Sequence, residues 1–376
     1  MFDLYSGNTP SRLNKEHFKG TVNWISSGEL KEHYIYSSKE QISEEAAKSL
    51  KLLPAGTFVI AIYGLEAEGV RGTGSITQEP STISQACMSF IPKGVIENEF
   101  LYSWYKKHGN VIGIRYAQGT KQQNLSYDIL EKFRIVYPNT KEQEKLNKFI
   151  SLLDERITTQ NKIIDKLQSL IKGLNNSLYA QYGGKVLTSF AELGTSYSGL
   201  SGKSAQDFGS GKPFITYLNV YSNNIINEND FQYVAIKDGE KQNVAEYGDV
   251  LFTLSSETPR EVGIGSVYLG KEKVYLNSFC FGIHITNMEV AFPPYLSYYV
   301  SSTAFRKFIY PYAQGSTRFN LCKADFEKAS IKLPTLENQK RIYSILSHID
   351  SKIETEIQML NLYNSQKQYL LRQMFI

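Results

Sequence analysis

The feature that most constrains this chain of 376 residues is a long internal repeat. The stretch 116–157 recurs without a gap at 312–353, offset by 196 residues. Identical residues at matching positions begin with Tyr-Ala-Gln-Gly, continue through Asn-Leu, Glu-Lys, Pro, Gln and Asp, and end at an Ile. This period is far longer than a solenoid unit, which has about 20–50 residues. The sequence therefore predicts a tandem pair of whole modules.

Each copy ends in a heptad pattern. After Pro138 no proline occurs until Pro213, and apolar residues recur every seven positions with a second set three residues later. This spacing places one apolar stripe along a helix, as in the a/d seam of a coiled coil. The seam positions of the two copies are Ile150, Leu153, Ile157, Ile164, Leu167, Ile171, Leu174 and Leu178, then Leu346, Ile349, Ile353, Leu360, Tyr363, Leu370 and Met374.

Three polar residues, Gln160, Glu356 and Lys367, interrupt this seam. One interpretation is that each helix packs only on its own module. The presence of two matched heptad stretches in one chain favours the other interpretation, that the two helices pair with each other.

Composition sets the broad class. Hydrophobic residues make up 41% of the chain, enough for real cores, and a net charge of only +4 indicates no partner by itself. The three cysteines lack CxxC spacing, which is typical of buried thiols in a reducing compartment. No apolar run reaches the length of a membrane span, and the amino end does not resemble a signal peptide. We therefore expect a soluble, cytoplasmic protein with no membrane partner.

The two modules share a predicted β-rich plan but differ at their start. A Tyr-Ser-Gly turn at 5–7 is echoed at 197–199, and the buried strand predicted at 57–63 is echoed at 248–252. The second module also has a predicted strand at 186–193, for which the first has no counterpart. The first module could lack this strand, or residues after the last helix could supply it.

The chain shows little sign of catalytic chemistry. Phe292-Pro-Pro-Tyr resembles the Asn/Asp-Pro-Pro-Tyr motif of amino-methyltransferases, but Phe292 cannot accept a hydrogen bond from the amino group of a base. The Gly-x-Gly pairs at 72–74 and 263–265 lie between predicted strands, so they indicate turns rather than a cofactor loop. The five histidines are scattered without metal-ligand spacing. We expect no catalytic residue, no cofactor and no metal.

Polar loops recur at matching positions of the two modules. Lys-Gln-Gln follows the first Tyr-Ala-Gln-Gly, and Thr-Arg follows the second. Gln and Asn can pair with adenine, Arg with guanine, and Lys with phosphate. A single polar loop is more often merely solvated, so it is the recurrence that favours DNA contact. The candidate contact residues are Thr9, Ser11, Arg12, Tyr63, Arg71, Lys121, Gln122 and Gln123 in the first module, and Lys203, Ser255, Ser256, Arg260, Thr317 and Arg318 in the second.

With these motifs the chain resembles the DNA specificity subunit of a type I restriction-modification system. The resemblance is carried by Gly-Thr-x-x-x-Asn-Leu at 119–125 and Gly-Ser-Thr-Arg-x-Asn-Leu at 315–321, each followed by the repeated Ile, Pro, Gln and Asp-x-x-Ile. The opening Ser-Gly-Asn-Thr-Pro-Ser and a later Trp-Ile-Ser also match, so nearly the whole chain is covered. The departures are the missing opening strand and Asn338, where a Glu is usual.

The resemblance implies an α+β fold with two β-rich target-recognition domains at 1–138 and 184–334. Each is followed by a long helix, at 139–183 and 335–376, and the two helices pair as an antiparallel coiled-coil spacer. A helix of about 42 residues spans roughly 60 Å, enough to hold two domains over major-groove patches about 34 Å apart.

The resemblance also implies partners. Each domain would read one half of a bipartite, asymmetric site in double-stranded DNA. Two DNA methyltransferase (modification) subunits would dock on the chain, and restriction subunits would join through the assembled complex. The residues alone leave an alternative open, a non-catalytic rod-like protein whose modules bind proteins or glycans.

Overall fold

In the computed structural model, which describes residues 2–67 and 69–375, the chain divides into two compact units. Unit 1 comprises Met1–Asn161 with Gln358–Ile376, and unit 2 comprises Lys162–Ile357. Each unit therefore contains one β-rich module and parts of two long helices.

The elements of unit 1 run from a short first strand to the first long helix. They are β1 Phe2–Ser6, β2 Val22–Ile25, β3 Tyr34–Ile35, β4 Gln41–Ile42, α1 Glu44–Lys48, β5 Phe58–Ala61, β6 Gly74–Thr77, β7 Ser81–Ile83, β8 Cys87–Pro92, α2 Asn98–Tyr116, α3 Tyr127–Glu131 and α4 Thr140–Tyr182, whose second half belongs to unit 2.

Unit 2 contains more strands and ends in the second long helix. Its elements are β9 Val186–Thr188, α5 Phe190–Leu193, β10 Gly194–Ser198, β11 Phe208–Ile215, α6 Tyr217–Ser222, β12 Gln232–Val234, β13 Val244–Ala245, β14 Val250–Thr253, β15 Ser255–Ser256, β16 Gly265–Val267, β17 Val274–Leu276, β18 Cys280–Ile285, α7 Pro293–Ser301, α8 Thr303–Ile309, β19 Ala313–Gln314, β20 Phe319–Leu321, α9 Lys323–Lys328, β21 Ile331–Leu333 and α10 Leu336–Met374, whose second half returns to unit 1.

Each module contains its own central sheet, and the two sheets have matching arrangements. The strand order is β1-β8-β5-β6-β3 in unit 1 and β10-β18-β14-β16 in unit 2, so four strands occupy matching places. The central strands β5 and β14 read Phe-Val-Ile-Ala and Val-Leu-Phe-Thr and are buried along their whole length. Strands buried on both faces are expected to be continuous apolar runs, which is how these strands appear in the sequence. The predicted α+β class with tandem β-rich modules is confirmed.

The prediction of one strand over 186–193 is wrong in its second half. The strand β9 ends at Thr188, and the helical turn α5 follows. Ser189 caps this turn by accepting from the backbone N–H of Glu192, whose carboxylate in turn accepts from the backbone N–H of Ser189. This reciprocal capping box outweighs the strand propensity of the flanking residues. The strand that matches β1 is β10, so the first module has its Tyr-Ser-Gly strand and differs by β9 and α5.

The two long helices pack on each other, as the heptads predict. In unit 1 Nε of Arg156 donates to the phenolic oxygen of Tyr363 at 3.1 Å, and Asp154 pairs with Lys367. In unit 2 the guanidinium of Arg341 lies 5.6 Å from the ring centre of Tyr182. Early α4 thus faces late α10 in unit 1, and late α4 faces early α10 in unit 2, which is the antiparallel arrangement.

The burial of the seam follows the heptads. Ile150, Ile164, Leu346 and Ile353 are buried. Half-buried seam positions are Leu153, Ile157, Leu167, Ile171, Leu174, Leu178, Ile349, Leu360, Tyr363, Leu370 and Met374. Two of the interrupting residues, Gln160 and Glu356, are also buried, and Lys367 is half-buried beside Asp154.

One repeated glutamine fixes each helix start to its module. Oε1 of Gln143 accepts from the backbone N–H of Glu97, and Nε2 donates to the carbonyl oxygens of Val95 and Pro138. Gln339 makes the same three bonds to Phe292, Val290 and Pro334. Both side chains are fully buried, so the amide has no water to replace these partners.

None of the helices in the described ranges combines the length and apolar character needed to cross a membrane.

Candidate nucleic-acid interface

Each copy of Tyr-Ala-Gln-Gly ends in a glycine that begins a tight loop. Gly119 and Gly315 have φ angles of +116° and +143°, in the region that side chains rarely enter. An added Cβ would lie 2.0 Å from the carbonyl oxygen of Gln122, or 2.1 Å from that of Arg318. The glycine therefore lets the chain fold back so that the loop projects the residues after it.

In unit 1 the loop after Gly119 is hydrogen-bonded to the loop that follows β5. The backbone N–H of Leu65 donates to the carbonyl oxygen of Gln123 at 3.0 Å, and the N–H of Gln123 donates to the Glu66 carboxylate at 2.7 Å. That backbone hydrogen bond holds the pKa of Glu66 below its usual range. Nη2 of Arg71 donates to Oε1 of Gln123 at 3.1 Å.

The two loops joined by these contacts carry five of the candidate residues, which we call the unit 1 loop cluster: Tyr63, Arg71, Lys121, Gln122 and Gln123. Lys121 and Gln122 are exposed, whereas Arg71 and Gln123 are half-buried and hold each other. The outer members are therefore free to meet a ligand, and the inner pair positions them.

The other unit 1 candidates lie near the start of the chain. Arg12 makes two hydrogen bonds of 2.7 Å to the carboxylate of Glu40, and its guanidinium lies 4.2 Å from the ring centre of Phe18. The Glu40 hydrogen bond raises the pKa of Arg12, and the same pairing lowers the pKa of Glu40. Arg12 is thus already partnered within the fold. Thr9 is half-buried and Ser11 is exposed beside it.

In unit 2 four of the six candidates surround a single cleft of about 790 Å³. Pairing of β15 with β20 sets Ser255 opposite Asn320 and so brings the loop after β14 beside the loop after Gly315. Ser255, Ser256, Thr317 and Arg318 line this cleft. We call it the unit 2 cleft.

Two aromatic residues of the cleft were missed by the sequence analysis. Tyr217, at the start of α6, donates from its hydroxyl to the carbonyl oxygen of Ser255 at 2.9 Å. Phe279, just before β18, is exposed, and the guanidinium of Arg318 lies 5.6 Å from its ring centre. An exposed aromatic residue next to a buried strand was the available signal for Phe279. Tyr217 had no comparable signal in the sequence. Glu257 also lines the cleft and was likewise missed.

A carboxylate organises the polar loop beside the cleft. Glu261 accepts from the hydroxyl groups of Tyr221, Ser256 and Thr258 at 2.8 to 3.0 Å, and these hydrogen bonds lower its pKa. Arg260 is exposed, and its carbonyl oxygen accepts from Arg306 at 2.6 Å. The Arg260 side chain does not line the cleft.

Lys203 has an internal role. Its Nζ donates to the carbonyl oxygen of Ala235 and to the Glu240 carboxylate, each at 2.7 Å, and its side chain is only 6% exposed. The Lys203 hydrogen bond is the main reason that the pKa of Glu240 falls to about 2. The charge of Lys203 is therefore neutralised within unit 2.

The two clusters offer different chemistry at matching places. The amide of Gln122 in unit 1 corresponds in the repeat to the guanidinium of Arg318 in unit 2. Amide side chains suit the donor and acceptor edge of adenine, whereas a guanidinium suits the two acceptors of guanine. Two modules of one architecture thus present different polar groups at matching positions.

Comparisons with known proteins agree with this architecture. The profile of the family described as "Type I restriction modification DNA specificity domain" matches residues 1–169 and 197–362. The chain is 30% identical over 174 residues to the type I restriction enzyme MjaIX specificity subunit of Methanocaldococcus jannaschii, covering 44% of this chain and 39% of that protein. It is 31% identical over 183 residues to the EcoR124I/EcoR124II specificity subunit of Escherichia coli, covering 47% and 44%.

The matched stretch thus spans less than half the length of either of these relatives. Among solved structures, the S subunit of a type I restriction-modification system from M. genitalium superposes with a TM-score of 0.54 at 14% identity, covering 100% of this chain and 94% of that one. At that identity the likeness establishes the fold alone. The family profile covers most of both modules, and the chain therefore belongs to the type I restriction-modification DNA specificity family.

Proposed function

We propose that this chain is the DNA-recognition subunit of a type I restriction-modification complex. Each recognition domain, 1–138 and 184–334, reads one half of a bipartite site in double-stranded DNA. The helices at 139–183 and 335–376 set the spacing between the half-sites and dock two modification subunits. Restriction subunits join through the assembled complex.

The observation that carries the proposal is that two modules of the same architecture present different polar side chains on their loops. Four strands of the sheet occupy matching places in the two units, and Gln143 and Gln339 make the same hydrogen bonds, so each module is held to its helix in the same way. The unit 1 loop cluster and the unit 2 cleft differ in side chains. Such a design suits an asymmetric DNA site with a fixed spacer better than two copies of one ligand.

The candidate contacts separate into exposed groups and structural groups by their partners in the fold. Lys121, Gln122, Thr317 and Arg318 are exposed on the loops after the repeated glycines. Arg12 and Lys203 are held by Glu40 and Glu240. We therefore place base and phosphate contacts on the first group, and a positioning role on Arg71 and Gln123.

We also propose that the chain is cytoplasmic and has no catalytic activity of its own. The partner subunits carry out methyl transfer and DNA cleavage, and this chain supplies the sequence specificity. Purified alone, the chain should neither methylate nor cleave DNA.

The test is assembly with a candidate modification subunit, followed by genome-wide mapping of methylated sites and by DNA-binding titrations. A single bipartite motif with a constant spacer is expected. The affinity should fall by about a thousandfold between 50 and 200 mM salt, because bound phosphates release counterions. Binding that is insensitive to salt, or no methylation motif at all, would contradict the proposal and favour a protein- or glycan-binding module.

A further inference from the structure

The loop between β15 and β16 carries two glutamates with different surroundings. The carboxylate of Glu261 accepts hydrogen bonds from three hydroxyl groups of unit 2, at 2.8 to 3.0 Å, and so holds the loop in shape. Glu257 is exposed and lines the unit 2 cleft. Among the residues that the structure describes, none donates a hydrogen bond to the Glu257 carboxylate or forms an ion pair with it. The fold therefore leaves this carboxylate available to a ligand of the cleft.

The residues on either side of Glu257 fix its place in the cleft. The hydroxyl group of Ser256 donates to the Glu261 carboxylate at 3.0 Å, and that of Thr258 donates to it at 2.9 Å. Ser256 also lies in β15, where it pairs with Phe319 of β20. The backbone at Glu257 is thus anchored on both sides, while its side chain takes part in none of these bonds.

The charge of Glu257 restricts what it can meet on DNA. A carboxylate is repelled by phosphates, so it is favourable at a DNA surface only where a hydrogen-bond donor faces it. In the major groove the donors are the amino groups of cytosine and adenine. The edge of adenine also presents the acceptor N7, to which an ionised carboxylate cannot donate. Cytosine presents its N4 amino group without that acceptor, so it suits a glutamate better.

A cation in the same cleft offsets the negative charge. Arg318 is exposed, and its guanidinium lies 5.6 Å from the ring centre of Phe279. Within the described part of the chain, no ion pair joins Arg318 to Glu257, so neither group is taken up by the other. The arginine reduces the repulsion between the cleft and the phosphates, which lets the carboxylate approach the bases.

We propose that Glu257 accepts a hydrogen bond from the N4 amino group of a cytosine in the half-site of the second module. It rejects thymine at that place, because O4 of thymine is an acceptor and would face the carboxylate. Glu261 acts as a positioning residue through Ser256 and Thr258. This inference rests on the proposed function and adds to it a residue that determines one base.

The experiment compares the wild type and Glu257→Gln, each assembled with the candidate modification subunit, by methylation-site mapping. The wild-type motif should contain an invariant cytosine that becomes cytosine or thymine in the variant. The reason is that Nε2 of glutamine can donate to O4 of thymine, while Oε1 can still accept from cytosine. The other positions of the motif should stay unchanged.

DNA-binding titrations measure the size of the change. The duplexes carry the wild-type motif, with each C·G pair replaced in turn by T·A. At one pair the wild type should prefer cytosine to thymine by at least about tenfold, as expected for a hydrogen bond to a charged group, and Glu257→Gln should lower this preference below about threefold. The slope of log affinity against log salt should stay the same, because Glu257 contacts no phosphate.

Glu289→Gln is the matched control. Glu289 is an exposed glutamate of unit 2 that does not line the cleft, so its substitution removes the same charge elsewhere. The control should keep the wild-type motif and the wild-type preference for cytosine. Circular dichroism checks that both variants are folded.

Three results would overturn the inference and leave the proposed function standing. The first is a wild-type motif in the Glu257→Gln complex. The second is a gain in affinity for all duplexes alike, which would show that Glu257 merely repels phosphates. The third is relaxation at an A·T pair instead of a C·G pair. A wild-type complex that methylates no bipartite motif would overturn the proposed function and this inference together.

Discussion

Gln143 and Gln339 donate from Nε2 to the carbonyl oxygens of Pro138 and Pro334, at 2.9 Å in both cases. Each proline lies two residues before the first residue of its long helix, so the hydrogen bond ties the helix start to the end of the module. The repeat preserves this tie while the surrounding loops diverge. In the function proposed above, this joint would fix the register between each candidate DNA-contact loop and its long helix, and so the place where the loop meets DNA.

Gln143→Ala should destabilise unit 1 by about 3 kcal/mol, because it leaves three backbone groups without their buried partner. Chemical denaturation monitored by circular dichroism measures the change. Glu144→Ala, on the next and exposed residue, is the matched control and should change stability by less than about 0.5 kcal/mol. Equal effects of the two substitutions would show that the amide is not a structural tie.

Ile164→Lys should destabilise the paired helices of unit 2 by about 3 kcal/mol, because it places an uncompensated charge in the apolar seam. Ile164 is 7% exposed, whereas the adjacent Ile163 is 38% exposed and makes a close control as Ile163→Lys. Leu360→Lys tests the seam of unit 1 in the same way. If thermal stability and assembly with the modification subunit survive both seam substitutions, the helices are not paired through these residues.

The stability of unit 2 should depend on Glu240 in acid. Its folded pKa is about 2 and its ordinary value is 4.5, chiefly because Lys203 donates a hydrogen bond to the carboxylate. A lowered folded pKa contributes stability that is fully present above about pH 4.5 and is lost as the pH falls towards 2. The stability advantage of the wild type over Glu240→Gln should therefore shrink over that window. A difference that stays constant from pH 6 to pH 3 would contradict the pairing.

Lys121 and Lys203 should differ in their effect on DNA binding. Lys121 is exposed on the loop after Gly119, whereas the ammonium group of Lys203 donates hydrogen bonds to Glu240 and Ala235. If Lys121 contacts a phosphate, Lys121→Met should lower the slope of log affinity against log salt by about 1. Lys203→Met should lower the stability of unit 2 and leave that slope unchanged. The opposite result would return Lys203 to the DNA contacts.

The repeat predicted the tandem plan because identical residues recur at one constant offset, and the heptads predicted the paired helices because apolar residues recur every seven positions. The error at 186–193 arose differently. The Ser189 and Glu192 pair that caps α5 is visible in the sequence, but the apolar residues on both sides of it favour a strand. Local capping decides such short elements, and an apolar run alone cannot distinguish a strand from one helical turn.

The candidate site was harder to predict because a side chain's partners lie far away in sequence. Arg12 is 28 residues from Glu40, and Lys203 is 37 residues from Glu240. Composition therefore could not show that these charges are neutralised within the fold. Phe279 and Arg318 meet only because β18 and the loop after Gly315 border one cleft.

The central claim is that each module reads its own half-site, and methylation-site mapping of two variants in the assembled complex tests it most directly. Arg318→Ala should relax one position of the second half-site if Arg318 contacts guanine, a loss of about 1–3 kcal/mol of discrimination. It should instead lower affinity for all sequences alike if Arg318 contacts phosphate. Gln123→Ala should perturb only the first half-site. If either variant alters the half-site that belongs to the other module, the account is contradicted.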